Sequence, residues 1–200
     1  MAGVIAPILF MVVVTIASLA RAGYSQIRDP ISDLGNGPRA WMQNANFALF
    51  GVLMLCFALA FRRGMGSIIG RRAVACSALL GLSAIGFLAA AYFRVPDAGA
   101  PEATRLRQGM LHGMSFMLIF VPLIVALFLS GSQMLRSRTW RKVGWYSLAT
   151  GAVAILLVAL ILVFARPDSS LPIGGLLTRL LVVQTFAWHG VVGWRLTSAA

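Results

Sequence analysis

Acidic residues are scarce in this chain of 200 residues, which has 5 Asp and Glu against 17 Lys and Arg, and only 11% of its residues are charged. A water-soluble domain usually has about a quarter of its residues charged. So few charges cannot cover a hydrated surface, which argues against a soluble enzyme, a disordered tail and a free nucleic-acid-binding domain. The sequence is instead 60% hydrophobic, with a mean hydropathy of +0.87. This composition is typical of an integral membrane protein.

Six apolar runs are long enough to cross a hydrocarbon core of ~30 Å, which takes about 20 helical residues. The predicted spans are 4–20, 41–61, 73–93, 110–130, 143–165 and 174–195. These runs lack the alternating pattern of barrel strands, and the connections are too short to hold a soluble domain. The sequence therefore predicts an all-α integral membrane bundle, in which residues 1–200 form a single six-helix transmembrane domain.

The distribution of charge predicts the orientation of this bundle. The loops after spans two and four contain eight basic residues and no acid. The acids lie in the other three loops: Asp29, Asp33, Asp97, Glu102 and Asp168. Basic residues in short loops mark the cytoplasmic side, so we expect both termini in the cytoplasm of a prokaryote, with the protein in the inner membrane. The net charge of +12 then indicates contact with anionic membrane lipids, and no nucleic-acid partner.

Two features of the organisation leave alternatives open. Residues 71–97 and 141–168 both begin with a basic pair and end in a turn with Arg, Pro and Asp. Span one also exits through Arg28, Asp29 and Pro30. Together these similarities suggest a threefold hairpin repeat, although apolar helices with basic flanks also resemble one another by composition. Span one is either a retained helix or a cleaved signal peptide with a small-residue site at 20–22. The absence of a basic residue before it favours retention.

Histidine and cysteine are also scarce, with 2 of each, which limits cofactor chemistry. His112 and His189 are predicted near opposite faces of the membrane, whereas a bis-histidine haem needs two histidines at one depth. We interpret His189 as making an interhelical hydrogen bond. Cys56 and Cys76 lack CxxC spacing and are interpreted as small core residues. No Walker, dinucleotide-binding or GxSxG motif is present, so we expect no metal and no cofactor.

Polar residues at the outer ends of the spans form the candidate site. A charged residue inside a span is a site hypothesis by default, and Arg179 lies inside span six. We expect it to pair with one of three outer acids, Asp33, Asp97 or Asp168, rather than to extend to the headgroups. The amides of span two either point inward or begin an interfacial helix. The candidate ligand-binding residues form an outward-facing cup: Asp33, Asn44, Asn46, Asp97, His112 and Arg179.

The order of these motifs resembles that of a known family along nearly the whole chain. The motifs are ISDLG at 31–35, an aromatic–Asp exit at 92–97, His112 at the start of span four, and GLLTR at 175–179. They are similar to those of the bacterial and archaeal membrane proteins grouped as domain of unknown function 998. That family often has an acid before the span-six arginine, where this sequence has Thr178. The resemblance implies a six-helix fold in a membrane, and no assigned activity.

Three classes of function are compatible with these features. The cup predicts binding or transport of a lipid headgroup or a small polar solute, with Arg179 donating paired hydrogen bonds to phosphate or carboxylate. An accessory, assembly or sensor subunit is the second class, in contact with another membrane protein or a second copy of the chain. The third is a membrane-embedded lipid hydrolase or transferase with His112 as general base. Its catalytic residues cannot be assigned from the sequence, and an enzyme is the least favoured class.

Overall fold

A computed structural model of the chain describes residues 1–96, 99–165 and 171–198. Within these residues the long helices are α1 (Ala2–Leu19), α2 (Ala40–Ile69), α3 (Arg72–Tyr92), α4 (Glu102–Met134), α5 (Arg141–Phe164) and α6 (Gly174–Ser198). A short 3₁₀ helix, Ile31–Gly35, lies in loop one (residues 20–39). All six long helices are long and apolar enough to cross a membrane. The prediction of an all-α, multi-pass membrane protein is therefore confirmed.

Two helices are longer than the predicted spans. α2 continues to Ile69, so Arg62 and Arg63, which we had expected in a loop, are exposed side chains on a helix. α4 begins at Glu102 rather than near residue 110, directly after Pro101. A proline fits the start of a helix because no N–H partner is needed there, and an acid in the first turn interacts favourably with the helix dipole. Hydropathy identifies only the part of a helix that is apolar enough for lipid, so polar extensions are missed.

The six helices form a closed ring in chain order. Each helix packs against the next one, α1 packs against α6, and α2 also contacts α4 and α6. The α3–α4 contact is close at Gly86, where a Cβ atom would lie 2.6 Å from the backbone nitrogen of Ile119. We call the end of the ring with loop one the loop-one end. The opposite end, with the α2–α3 and α4–α5 connections, is the basic end.

An aromatic cluster fills the centre of the ring. The Phe50 and Phe186 rings stack with their centroids 4.1 Å apart, and the Phe10 ring meets both edge-on at 5.1 Å. In a membrane the lipid is as apolar as these side chains, so close packing rather than transfer from water holds the helices together. Because Phe10 belongs to α1, the first helix is an integral part of this core.

Candidate functional site

A cavity lies inside the ring at the loop-one end, next to the aromatic cluster. About 60 Å³ of it is open to the centres of water molecules, which is room for about four to six waters or one ring of benzene size. Ten of its lining side chains are apolar, and five of these are phenylalanines: Phe10, Phe47, Phe87, Phe116 and Phe120. Three polar side chains also line it: Ser32, His112 and Thr178.

His112 presents a hydrogen-bond acceptor at this cavity. Its Nδ1 lies 2.9 Å from the carbonyl oxygen of Phe93, which lies at the C-terminal end of α3, where carbonyls have no partner within the helix. A carbonyl only accepts, so Nδ1 carries the hydrogen of the neutral ring and Nε2 keeps its lone pair. Among the described residues, Nε2 has no hydrogen-bond partner.

The two hydroxyl groups that line the cavity differ in the hydrogen bonds that they can still make to a ligand. Thr178 Oγ1 donates to the carbonyl of Gly175 at 3.0 Å, so it is left with acceptor capacity. The Ser32 hydroxyl has no partner among the described residues and can both donate and accept. The cavity thus has an apolar body and a polar wall with more acceptors than donors.

Loop one forms the roof of the cavity. Ile31 and Ser32 of its 3₁₀ helix line the cavity, and its backbone is attached to the first turn of α6. The backbone N–H groups of Gly175 and Leu176 donate to the carbonyls of Arg28 and Ile27 at 3.0 and 2.8 Å. These bonds satisfy N–H groups that the start of a helix leaves unpaired. A Cβ atom at Gly175 would lie 2.5 Å from the Asp29 carbonyl oxygen, so the approach requires glycine.

Arg179 fastens this roof from one turn further along α6. Its Nη1 donates to the carbonyls of Asp29 and Gly175 at 3.1 and 3.0 Å, and its Nη2 donates to Tyr24 Oη at 2.8 Å. The guanidinium also lies 5.4 Å from the centroid of the Tyr24 ring, which adds a cation–π contact. Tyr24 Oη in turn lies 2.9 Å from the carbonyl oxygens of Asp29 and Pro30.

The expected acid partner of Arg179 is not seen in the part of the chain that the structure describes. Arg179 makes no ion pair with Asp33, since the ion pair found among these residues joins Arg28 and Asp29. Asp97 and Asp168, the other two acids proposed as partners, lie outside the described residues. The observed partners of Arg179 are backbone carbonyls and a tyrosine hydroxyl. Arg179 therefore holds loop one against α6.

The two acids of loop one have opposite electrostatic environments. Asp29 accepts a hydrogen bond of 2.7 Å from Arg28 Nε, which lowers the pKa of its carboxyl. Burial raises the pKa of Asp33 to about 6, and the negative charge of Asp29 adds to this rise, whereas Arg21 and Arg179 oppose it. Arg21 also donates a hydrogen bond to the backbone carbonyl of Asp33. Asp33 is therefore the acid of loop one that titrates nearest to neutral pH.

The structure brings only part of the expected cup together. His112 lines the cavity, whereas the buried side chains of Asn44 and Asn46 support neighbouring backbone. Asn44 Nδ2 donates to the Gly35 carbonyl at 3.2 Å, and Asn46 Nδ2 donates to the Phe10 carbonyl at 3.1 Å. The span-two amides thus point inward, the first of the two alternatives. Asp33 lies on the roof, and Asp97 lies outside the described residues.

Sequence reasoning missed Ser32, Thr178 and Tyr24 as parts of this region. Ser32 and Thr178 lie inside the motifs already noted, and Thr178 shares a helix face with Leu181 and Val182, which also line the cavity. Tyr24 carried no signal that distinguishes a fastener from an ordinary interfacial aromatic. Across the described residues, no three His, Cys, Asp or Glu side chains come together as metal ligands.

The comparisons with known proteins agree with the motif order. A family model described as "Protein of unknown function (DUF998)" matches residues 4–195. No curated protein and no solved structure matches the chain. Since the family match covers nearly the whole length, the chain belongs to the DUF998 family of proteins of unknown function.

Proposed function

We propose that this multi-pass membrane protein binds a lipid or lipid-like molecule in the cavity at the loop-one end. The observation that carries the proposal is the lining: ten apolar side chains together with Ser32, His112 and Thr178. Ligand sites in proteins commonly combine an apolar body with a few polar groups that fix orientation. The polar end of the ligand meets the three polar side chains, and the apolar atoms next to it pack against the apolar lining.

This lining narrows the ligand expected from the sequence. A headgroup or a small polar solute would have to leave most of its polar groups without partners among five phenylalanine rings, and each such group costs about 1–3 kcal/mol. Arg179, the group expected to hold a phosphate or carboxylate, is engaged with loop one. The apolar portion of a lipid is therefore the better match.

A lipid hydrolase is less well supported than a binding protein. Nucleophilic catalysis needs a hydroxyl within hydrogen-bond reach of its base. Ser32 and His112 line the same cavity, but within the described residues no hydrogen bond joins them. Binding therefore has the stronger support.

The test of binding is the lipid that accompanies the purified protein. Ala90, which lines the cavity and is 4% exposed, is changed to Leu to fill the space. Ala75→Leu makes the same change in the same helix at an exposed position and is the matched control. We expect mass spectrometry of nanodisc-purified protein to show a bound molecule with the wild type and Ala75→Leu, and less of it with Ala90→Leu. Equal amounts in all three samples would contradict the proposal.

The same proposal includes an orientation, with the basic end in the cytoplasm and the loop-one end outside, in the inner membrane of a prokaryote. Its support is the excess of basic residues in and beside the α2–α3 and α4–α5 connections. Single cysteines at the exposed Ala22 and the partly exposed Ser137, in a background with Cys56 and Cys76 replaced by Ala, report the two ends. We expect a membrane-impermeant maleimide to label only Ala22→Cys in intact spheroplasts. Labelling of only Ser137→Cys would show that the protein has the opposite orientation.

A further inference from the structure

The polar wall of the cavity has a definite hydrogen-bonding character. His112 donates Nδ1–H to Phe93 at 2.9 Å, so Nε2 of the neutral ring is an acceptor. Thr178 has used its hydroxyl hydrogen on the Gly175 carbonyl at 3.0 Å, so it too is an acceptor. Of the polar side chains that line the cavity in the described part of the chain, only Ser32 is able to donate as well as accept.

We infer that the cavity selects ligands whose polar end is a hydroxyl group over ligands of the same shape that end in an ether or a carbonyl. This inference rests on the proposed function, because it concerns the chemistry of the same bound molecule. A hydroxyl donates to His112 Nε2 and accepts from Ser32 in one arrangement. An ether or carbonyl accepts from Ser32 but places a second lone pair against Nε2.

The physical basis of selection is the acceptor left unsatisfied. A polar group without a partner in an apolar site loses the bond it would make in water, and a site built to bond a substrate hydroxyl therefore rejects the analogue that lacks it. The Phe93 carbonyl is what fixes this polarity. If the imidazole carried its hydrogen on Nε2, two acceptors would face each other at 2.9 Å.

The size of the cavity sets the shape of the polar end. Four to six waters, at about 30 Å³ each in the liquid, take up roughly the space of one six-membered ring. The ligand class is thus a hydroxylated ring or a branched alcohol of similar volume. A ring in this position can stack against the phenylalanine rings of the lining.

The test compares 4-fluorophenol with 4-fluoroanisole, which differ only by methylation of the oxygen. Binding to wild-type protein in nanodiscs is followed by fluorine NMR, and empty nanodiscs correct for partition into lipid. We expect the phenol to bind roughly three- to tenfold more tightly, as one neutral hydrogen bond provides. In His112→Phe, which keeps an aromatic ring, we expect this preference to disappear while the anisole still binds.

The outcomes separate the two proposals. Saturable binding of both probes with equal affinity would overturn the selection for a hydroxyl but leave a ligand cavity in place. No saturable binding of either probe to the wild type would overturn the cavity as a site for such ligands, and the selection with it. A preference that persists in His112→Phe and vanishes in Ser32→Ala would show that Ser32, and not His112, makes the selection. The wild-type comparison decides the selection even where a variant fails to fold.

Discussion

Each of the two histidines of this protein bonds a backbone carbonyl through Nδ1, but they lie at opposite ends of the ring in different surroundings. His189 Nδ1 lies 2.8 Å from the carbonyl oxygen of Thr185, one turn earlier in α6. The expectation of an interhelical bond was therefore wrong. Its ring is 2% exposed and lies 5.2 Å from the rings of both Phe57 and Trp188. Its Nε2 is buried without a partner in the described part of the chain.

His112 shows what changes when an imidazole held through Nδ1 has open space beside it. Its ring lies on the cavity, so the free Nε2 can meet a ligand, whereas the rings around His189 leave no room for one. An imidazole in a membrane helix is thus not by itself a site. The space beside it decides whether its lone pair binds something or is only packed.

The largest expected effect is the loss of packing at His189. His189→Ala removes a ring enclosed by aromatic side chains, and comparable truncations in packed cores cost about 2–5 kcal/mol. We expect His112→Ala to cost less, because its ring already borders a cavity. Unfolding of both variants in mixed micelles with increasing SDS measures the difference. Equal losses for the two would show that the basic end is not the more tightly packed of the two.

A useful control keeps the packing at His189 and removes only the polar atoms. His189→Phe retains a ring of similar shape and eliminates the unpartnered Nε2. We expect a stability within about 1.5 kcal/mol of the wild type, as for shape-conserving core changes. A loss as large as that of His189→Ala would indicate that the imidazole itself is required.

The second effect is the loosening of loop one when Arg179 is removed, compared with the loss of an arginine that lies over an aromatic ring at the basic end. Arg179 lies over Tyr24, and Arg195 lies 5.6 Å from the Trp140 ring centroid while donating to the Thr139 carbonyl. Arg179→Ala removes charged hydrogen bonds worth roughly 1.5–3 kcal/mol each when buried. We expect protection of the Gly175 and Leu176 amides against hydrogen exchange to fall about 10- to 100-fold, since 1.4 kcal/mol is tenfold.

Arg195→Ala is the matched change at the basic end, and it should leave those two amides unchanged. Tyr24→Phe removes one hydroxyl from the same arrangement and should give a smaller loss of protection than Arg179→Ala. Unchanged protection in Arg179→Ala would mean that the roof is held by the α6 backbone bonds alone.

The sequence was sufficient for the features that depend on composition and length. The lengths of the apolar runs predicted six spans, and the scarcity of charged residues predicted a membrane protein. The partners of Arg179 could not be predicted, because two of them are backbone carbonyls, which every residue possesses. The cavity was equally invisible, since it arises where Phe47, Phe87 and Phe120 from three different helices fail to fill a common space.

The third effect is a dependence on pH that belongs to the loop-one end. The pKa of Asp33 is raised to about 6 in the fold, so its stabilising contribution is complete below about 3.9, the ordinary pKa of Asp, and is lost as pH rises through about 6. We expect Asp33 to contribute about 1 kcal/mol more to stability at pH 5 than at pH 7.5, after allowance for solvent screening. Asp29 adds little in this range because its pKa is lowered.

Asp33→Asn isolates this contribution because an amide does not ionise. We expect the thermal unfolding midpoint of the variant to exceed that of the wild type at pH 7.5 and to approach it at pH 5. Parallel curves for the two proteins over this range would show that Asp33 does not titrate there.

The smallest expected effect is that of Ser32→Ala, which is compared with the same substitution at Ser147. Ser147 Oγ at the basic end accepts from Trp188 Nε1 at 2.7 Å and donates to the Val143 carbonyl at 2.7 Å. Ser147→Ala leaves the buried indole N–H unpaired, which costs about 1–3 kcal/mol. Ser32 has no such partner in the described residues, so Ser32→Ala should change stability by less than about 0.5 kcal/mol. The same SDS titration measures both variants.

The value of this last comparison is that it separates a structural hydroxyl from one kept for a ligand. A hydroxyl that contributes nothing to folding, yet lines an apolar cavity beside an imidazole acceptor, has its use in what the cavity binds. If Ser32→Ala proves as destabilising as Ser147→Ala, then Ser32 is part of the roof's own support. Ser32 would then have no hydrogen left for a ligand. An ether or a carbonyl would find no donor among the polar side chains described here.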